Sequence, residues 1–180
     1  MAIRNPTELR ALMPRGKRLL GLDLGSKTIG LAIADPGFMV ASPIGTIRRT
    51  KFTNDARELG KIIKEREVGA LVIGLPVNMD GTEGPAAQSA RQFAANLLQQ
   101  PDLVGGELEI AFWDERLSTA AVTRMMIEAD MTRKRRGEVV DKMAAAYILQ
   151  GALDALAAHA AARAAQEAAR EVEDRDDDRD

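Results

Sequence analysis

Apolar and polar positions along the chain fall into a readable series of elements. Between Arg18 and Asp35, two apolar runs flank a short Gly25-Ser26-Lys27 corner, the pattern of a β-hairpin. Side chains alternate along a strand, so Leu20, Leu22 and Leu24 share one face, as do Ile29, Leu31 and Ile33. The opposite face carries Leu19, Gly21 and Asp23, together with Gly30, Ala32 and Ala34. One side of the hairpin is bulky and the other is nearly bare. A surface of small residues admits close approach of another backbone, which predicts a helix lying on it. Asp23 sits on that bare side, and a carboxylate inside a strand is costly unless something pairs with it or binds it.

The remaining pattern extends this start. Residues 1–17 read as a loose or short helical leader. Met39–Ile47 predicts a third strand, placed at a sheet edge by Pro43. The spacing of Ala56, Leu59, Ile62 and Ile63 predicts a helix over Thr53–Arg66. Ala70–Leu75 is a short continuous apolar run, which suits a buried parallel strand. Pro76–Gly84 is turn chemistry throughout, and Pro85–Gln100 reads as a helix with proline in its tolerant first turn. Leu108–Trp113 predicts the last strand, with Asp114, Glu115 and Arg116 at its carboxyl end.

Ser118 is placed to N-cap a helix running to about Asp130. Arg133, Lys134, Arg135, Arg136 and Gly137 form a basic corner. The final helix is expected to start near Glu138, pass Gln150 and continue through an alanine-rich stretch to about Glu171. An antiparallel meander followed by strands alternating with helices predicts an α/β fold, a mixed sheet with helices on its faces. Sites in such sheets lie outside the carboxyl ends of the parallel strands, where Asp114 and Glu115 fall.

Composition narrows the chemistry. The length of 180 residues suits one domain with a real core. No cysteine is present, which excludes disulfides, thiolate catalysis and cysteine-held zinc. His159, the only histidine, lies in an alanine-rich tract and reads as a solvated helix residue. A metal would therefore be held by oxygen, which points to Mg²⁺ or Mn²⁺. The amino-terminal residues show no apolar signal region, and no run is long enough to span a bilayer, so a cytoplasmic protein without a membrane contact is expected. The net charge of −2 conceals an asymmetry: Glu171–Asp180 holds two arginines against seven acids, leaving the rest at +3. Such an acidic block reads as a solvated, disordered tail.

Three acids are candidates to converge. Asp23 lies in the first strand, Glu115 just past the last, and Asp141 in the first turn of the expected final helix. Asp141 precedes Ala144, Ala145 and Ile148 by three, four and seven residues, one helical face whose small residues suit the bare hairpin. Three packed carboxylates repel unless a divalent cation neutralises them. Such a centre can activate a water for attack on a phosphodiester. Each acid has a plainer reading alone: backbone hydrogen bonding for Asp23, the helix dipole for Asp141, a surface ion pair for Glu115. Gly25-Ser26-Lys27-Thr28 is not a P-loop, because the required glycine spacing is missing.

Four ordered motifs, GLDLGSKTIGLAIAD, VIGLPVNMDGTEGP, FWDERLST and VDKMAAAYILQG, resemble the YqgF (RuvX) family of RuvC-like nucleases over about Arg18–Leu156. The resemblance implies a three-layer RNase H-like fold around a mixed five-stranded sheet, spanning residues 18–158. A leader at 1–17 and an alanine-rich extension with an acidic tail at 159–180 would flank it. It implies a divalent-metal nuclease site at Asp23, Glu115 and Asp141, with Asp114 assisting or substituting for Glu115. Arg116, Ser118 and Thr119 would line the site, and Asn78, Asp80 and Gly81 would shape a loop beside it. The implied role is 5′-end maturation of pre-16S rRNA on a ribosomal precursor particle, with Holliday-junction resolution the alternative.

Lys27, Arg133, Lys134, Arg135 and Arg136 are candidates to hold a phosphate backbone, a salt-sensitive contact that reads no sequence. Aromatic content of 3% makes a base-stacking platform poor, so structured RNA or branched DNA fits better. A monomer or homodimer is expected. Two competitors are an ATP-binding module, since an Asp-x-Gly hairpin also opens actin-like ATPases, and a non-catalytic protein binding RNA or transcription complexes.

Overall fold

The structure, a computed structural model, describes residues 2–117 and 133–177, without the side chains of 133–142 and 171–177. Six strands form one sheet: β1 (Ala2–Arg4), β2 (Arg18–Leu24), β3 (Thr28–Ala34), β4 (Ala41–Arg48), β5 (Val68–Leu75) and β6 (Glu109–Asp114). Their order is β1-β6-β5-β2-β3-β4. β2, β3 and β4 form the antiparallel meander, while β1, β6, β5 and β2 run parallel. β4, with Pro43, is an edge strand as the proline requires. The α/β class and the mixed sheet hold, with one strand more than the five expected.

The extra strand comes from the leader. Ala2–Arg4 pairs in parallel with β6, and Arg4 Nε donates to Glu109 Oε2 at 2.7 Å. The short α1 (Leu9–Leu12) follows, and Leu9 is fully buried. Three residues are too few for an alternating pattern to announce a strand.

Helices cover both faces. α2 (Phe52–Glu65) and α3 (Pro85–Gln99) pack through Ala56, Leu59, Ala90 and Phe93 on the bulky face of Leu20, Leu22, Ile29 and Leu31. Phe52 and Phe93 meet edge to face, with centroids 5.5 Å apart. On the other face lies α4 (Arg133–Asp177), packed through Ala145, Ile148, Leu149, Ala152 and Leu153 on Leu19, Ala32, Ala34 and Val72. A Cβ added at Gly21 would stand 2.7 Å from Leu149 Cβ and 3.0 Å from the Ala145 carbonyl oxygen. The bare face of the hairpin is thus the floor on which this helix sits. Gln150 fixes its register by accepting from the Ala41 N–H at 2.9 Å and donating to the Met39 carbonyl at 3.0 Å.

α4 is already helical at Arg133, where the described residues resume, rather than starting near Glu138, so the basic run falls in the helix instead of in a corner before it. Lysine and arginine are good helix formers, and one interior glycine costs only about 1 kcal/mol. Asp141 then lies more than two turns from the helix start, beyond the reach of a terminal dipole effect. Alanine carries α4 well past its last buried contact at Leu156, and residues 157–170 are exposed on every side. The helix expected between Ser118 and Asp130 lies outside the described residues.

Candidate active site

The carboxyl ends of β2, β5 and β6 meet in one region. Leu22 on β2 is paired with Ile73 on β5, so the next step along sets Asp23 beside Gly74. Gly74 in turn pairs with Trp113 on β6. Asp23 follows Gly21 by two residues and therefore shares the face that α4 covers.

Glu115 reaches the same face. β6 ends at Asp114, and the single 3₁₀ turn Glu115–Leu117 redirects the chain. The Glu115 Oε1 atom lies 2.7 Å from where a Cβ on Gly74 would stand, and Ile148 of α4 occupies the same gap. The Glu115 carboxylate thus lies over β5, one strand away from the strand that carries Asp23, and neighbouring strands are about 4.8 Å apart. Only a glycine at position 74 leaves room for it. This residue carries no chemistry of its own, and its one sequence signal is a glycine inside the apolar run ALVIGL.

Asp114 behaves differently. Its carboxylate accepts from Arg116 Nη2 at 2.6 Å and from Arg116 Nε at 3.1 Å, and from the Arg116 backbone N–H at 3.0 Å. The guanidinium hydrogen bond holds the Asp114 carboxyl below its ordinary range and raises that of Arg116. The two neighbouring acids therefore part company: Asp114 is engaged by Arg116, and Glu115 turns over Gly74.

Arg116 also ties down the loop after β5. Its Nη1 donates to the Asn78 carbonyl at 3.4 Å and lies 3.9 Å from the Cβ position of Gly81. Gly81 has φ +86, a conformation other residues enter with strain. The Asp80 carboxylate accepts from the Thr82 hydroxyl at 2.6 Å and the Thr82 N–H at 2.9 Å, and the hydroxyl bond depresses its pKa most. A Val77–Glu83 bridge closes the loop, and Glu83 pairs with Arg91 on α3. Asn78, Asp80 and Gly81 thus belong to a loop held by its own hydrogen bonds and by Arg116.

The other candidates divide. Lys27 is exposed in the β2–β3 turn. That turn is clamped by Arg49, which sequence reasoning missed: its Nη1 donates to the Gly25 carbonyl and its N–H to the Lys27 carbonyl, both at 2.8 Å. The backbone of Asp141 lies in α4 four residues before Ala145, whose carbonyl oxygen meets Gly21 of β2. Ser118 and Thr119 lie outside the described residues, as do the side chains of Asp141, Arg133, Lys134, Arg135 and Arg136. Among the described residues no group of three metal-ligating side chains is complete. The candidate donors, Asp23, Glu115 and Asp141, are all carboxylates, the set a hard divalent cation takes.

Comparison with known proteins identifies the family. Residues 17–155 match the family model RuvX, described as Holliday junction resolvase. A protein of Rhodospirillum centenum, named "Putative pre-16S rRNA nuclease", is 72% identical over 156 residues, covering 87% of this chain and 83% of its own. One of the same name from Paramagnetospirillum magneticum is 62% identical over 154 residues, covering 86% and 96%. Among solved structures, T. thermophilus RuvC in complex with a Holliday junction substrate aligns with 77% of this chain and 94% of that chain, at a TM-score of 0.47 and 11% identity. With a family model spanning most of its length and relatives this similar, the chain belongs to the RuvX family.

Proposed function

We propose that the protein is a divalent-metal-dependent nuclease that hydrolyses phosphodiester bonds in structured RNA, acting in the cytoplasm in 5′-end maturation of pre-16S rRNA. The observation that carries this reading is the pair Asp23 and Glu115 on one face of the sheet, with the Glu115 carboxylate over Gly74. The relatives' shared name supports the choice of substrate.

Asp23, Glu115 and Asp141 are the residues that would hold Mg²⁺ or Mn²⁺. When bound, such an ion supplies an activated water and neutralises charge on the leaving oxygen. The chain's own contribution is orientation. In this reading β2 carries Asp23, the 3₁₀ turn after β6 aims Glu115, and α4 carries Asp141. Asp114 serves to hold Arg116, and through it the 76–84 loop, rather than to replace Glu115. Lys27 and the basic start of α4 supply positive charge for the phosphate backbone, a contact weakened by salt.

The test incubates purified protein with structured RNA and with four-way DNA junctions, in Mn²⁺, Mg²⁺ or EDTA. Metal-dependent cleavage of RNA is the expected result. Cleavage that persists in EDTA overturns the mechanism, and cleavage confined to junction DNA replaces RNA with branched DNA as the substrate.

A further inference from the structure

The amino ends of the parallel strands carry a second basic feature. A cavity of about 840 Å³ opens there between α2, the segment before β2 and the loop before β6. Arg57, Lys61 and Lys64 line it from α2 at positions i, i+4 and i+7, a single helical face, and Lys17 joins them from the segment before β2. Its shape is built from glycines. A Cβ at Gly60 would stand 2.7 Å from the Leu103 carbonyl oxygen, and one at Gly69 would stand 2.7 Å from Lys17 Cβ.

Two acids, Asp102 and Glu107, also line the cavity, against four cations. Among the described residues none of those four cations takes part in an ion pair. Three exposed cations in a row on one helical face, with half-buried Lys17 beside them, outnumber the two acids and suit a chain of phosphates better than one compact anion, which needs donors converging on a point. The cavity is far from Asp23 and Glu115: β5 alone, eight residues long, separates the two ends by about 26 Å.

We infer that this groove binds the phosphate backbone of the nucleic-acid substrate at a distance from the cleavage centre, so that long structured RNA is gripped at both ends of the sheet. The inference rests on the nuclease reading above and adds to it a requirement for substrate length. Neutralising the groove weakens long substrates selectively and leaves the chemistry untouched.

The experiment compares wild type with the triple variant R57Q/K61Q/K64Q, all exposed positions, and with the charge-keeping R57K/K61R/K64R. Binding of a ~60-nucleotide hairpin RNA and a ~12-nucleotide one is measured in EDTA across a salt series. The expected result is roughly tenfold weaker binding of the long RNA by the glutamine variant, with the salt slope reduced by about 2 to 3. The charge-keeping variant retains wild-type binding, and single-turnover cleavage of the short RNA in Mn²⁺ is the same for all three. Unchanged long-RNA binding by the glutamine variant overturns the inference, and so does an equal loss on both RNAs. If wild type binds long RNA through these residues yet cleaves nothing in Mn²⁺ or Mg²⁺, the groove stands and the nuclease reading falls.

Discussion

The two faces of the central sheet are built on opposite rules. Toward α2 and α3 the sheet presents Leu20, Leu22, Ile29, Leu31 and Ile73, large side chains that fill the space between layers. Toward α4 it presents Gly21, Ala32, Ala34, Ala70 and Gly74, and the helix fills the space instead. Bulk on one face gives stability that tolerates substitution of similar volume. Bareness on the other lets a helix backbone come close and leaves a pocket over Gly74 in which a carboxylate fits. The candidate chemistry lies on the bare face, where Gly74 leaves room for the Glu115 carboxylate.

The comparison breaks most decisively at Asp23. Asp23→Asn keeps the shape and removes the charge, so metal-dependent RNA cleavage should fall at least about a hundredfold with the fold intact by circular dichroism. Retained activity would reduce the bare face to a packing device.

Gly74→Ala is the sharper probe, since it adds one methyl where Glu115 Oε1 and Ile148 already stand. Misplacing a reacting group by about 1 Å can cost up to about a hundredfold in rate, and overpacking costs about 1–3 kcal/mol. Single-turnover cleavage and urea midpoints should therefore both fall. Gly21→Ala meets Leu149 Cβ and the Ala145 carbonyl oxygen but no carboxylate, so it should cost stability alone, about 1–3 kcal/mol by urea unfolding.

Leu59→Ala on the opposite face leaves a cavity under α2 and should cost about 2–5 kcal/mol in the urea midpoint. Its cleavage rate well below the melting temperature should match wild type. A loss of rate at constant fold would mean that the faces are not separable.

The smallest effect concerns Arg116. Its hydrogen bonds depress the Asp114 pKa, so this pair adds stability above the ordinary carboxylate range and loses it as pH falls through the folded pKa, below about pH 4. Arg116→Gln should lower urea midpoints slightly at pH 7, and the difference should shrink as the pH is taken below the ordinary carboxylate value and Asp114 protonates.

Local periodicity alone determined a good deal. The alternation from Leu19 to Ala34 assigned each side chain of the hairpin to its face, and the small residues foretold a helix on one of them. Pro43 marked the edge strand, and the order of strands and helices indicated a mixed sheet. These are short-range properties, set by the two-residue and 3.6-residue repeats of the backbone.

Tertiary structure decided what local pattern could not carry. Ala2–Arg4 becomes a strand only because the edge of β6 is open beside it. Asp114 and Glu115 are adjacent acids with equal claims in sequence, and they are told apart by a guanidinium next to one and a glycine on another strand beneath the other. Gly74 and Arg49 matter through neighbours 41 and 24 residues away in the chain, at Glu115 and Gly25. Pairing across that distance is a property of the assembled sheet, because each partner's role exists only once the strands between them are in register.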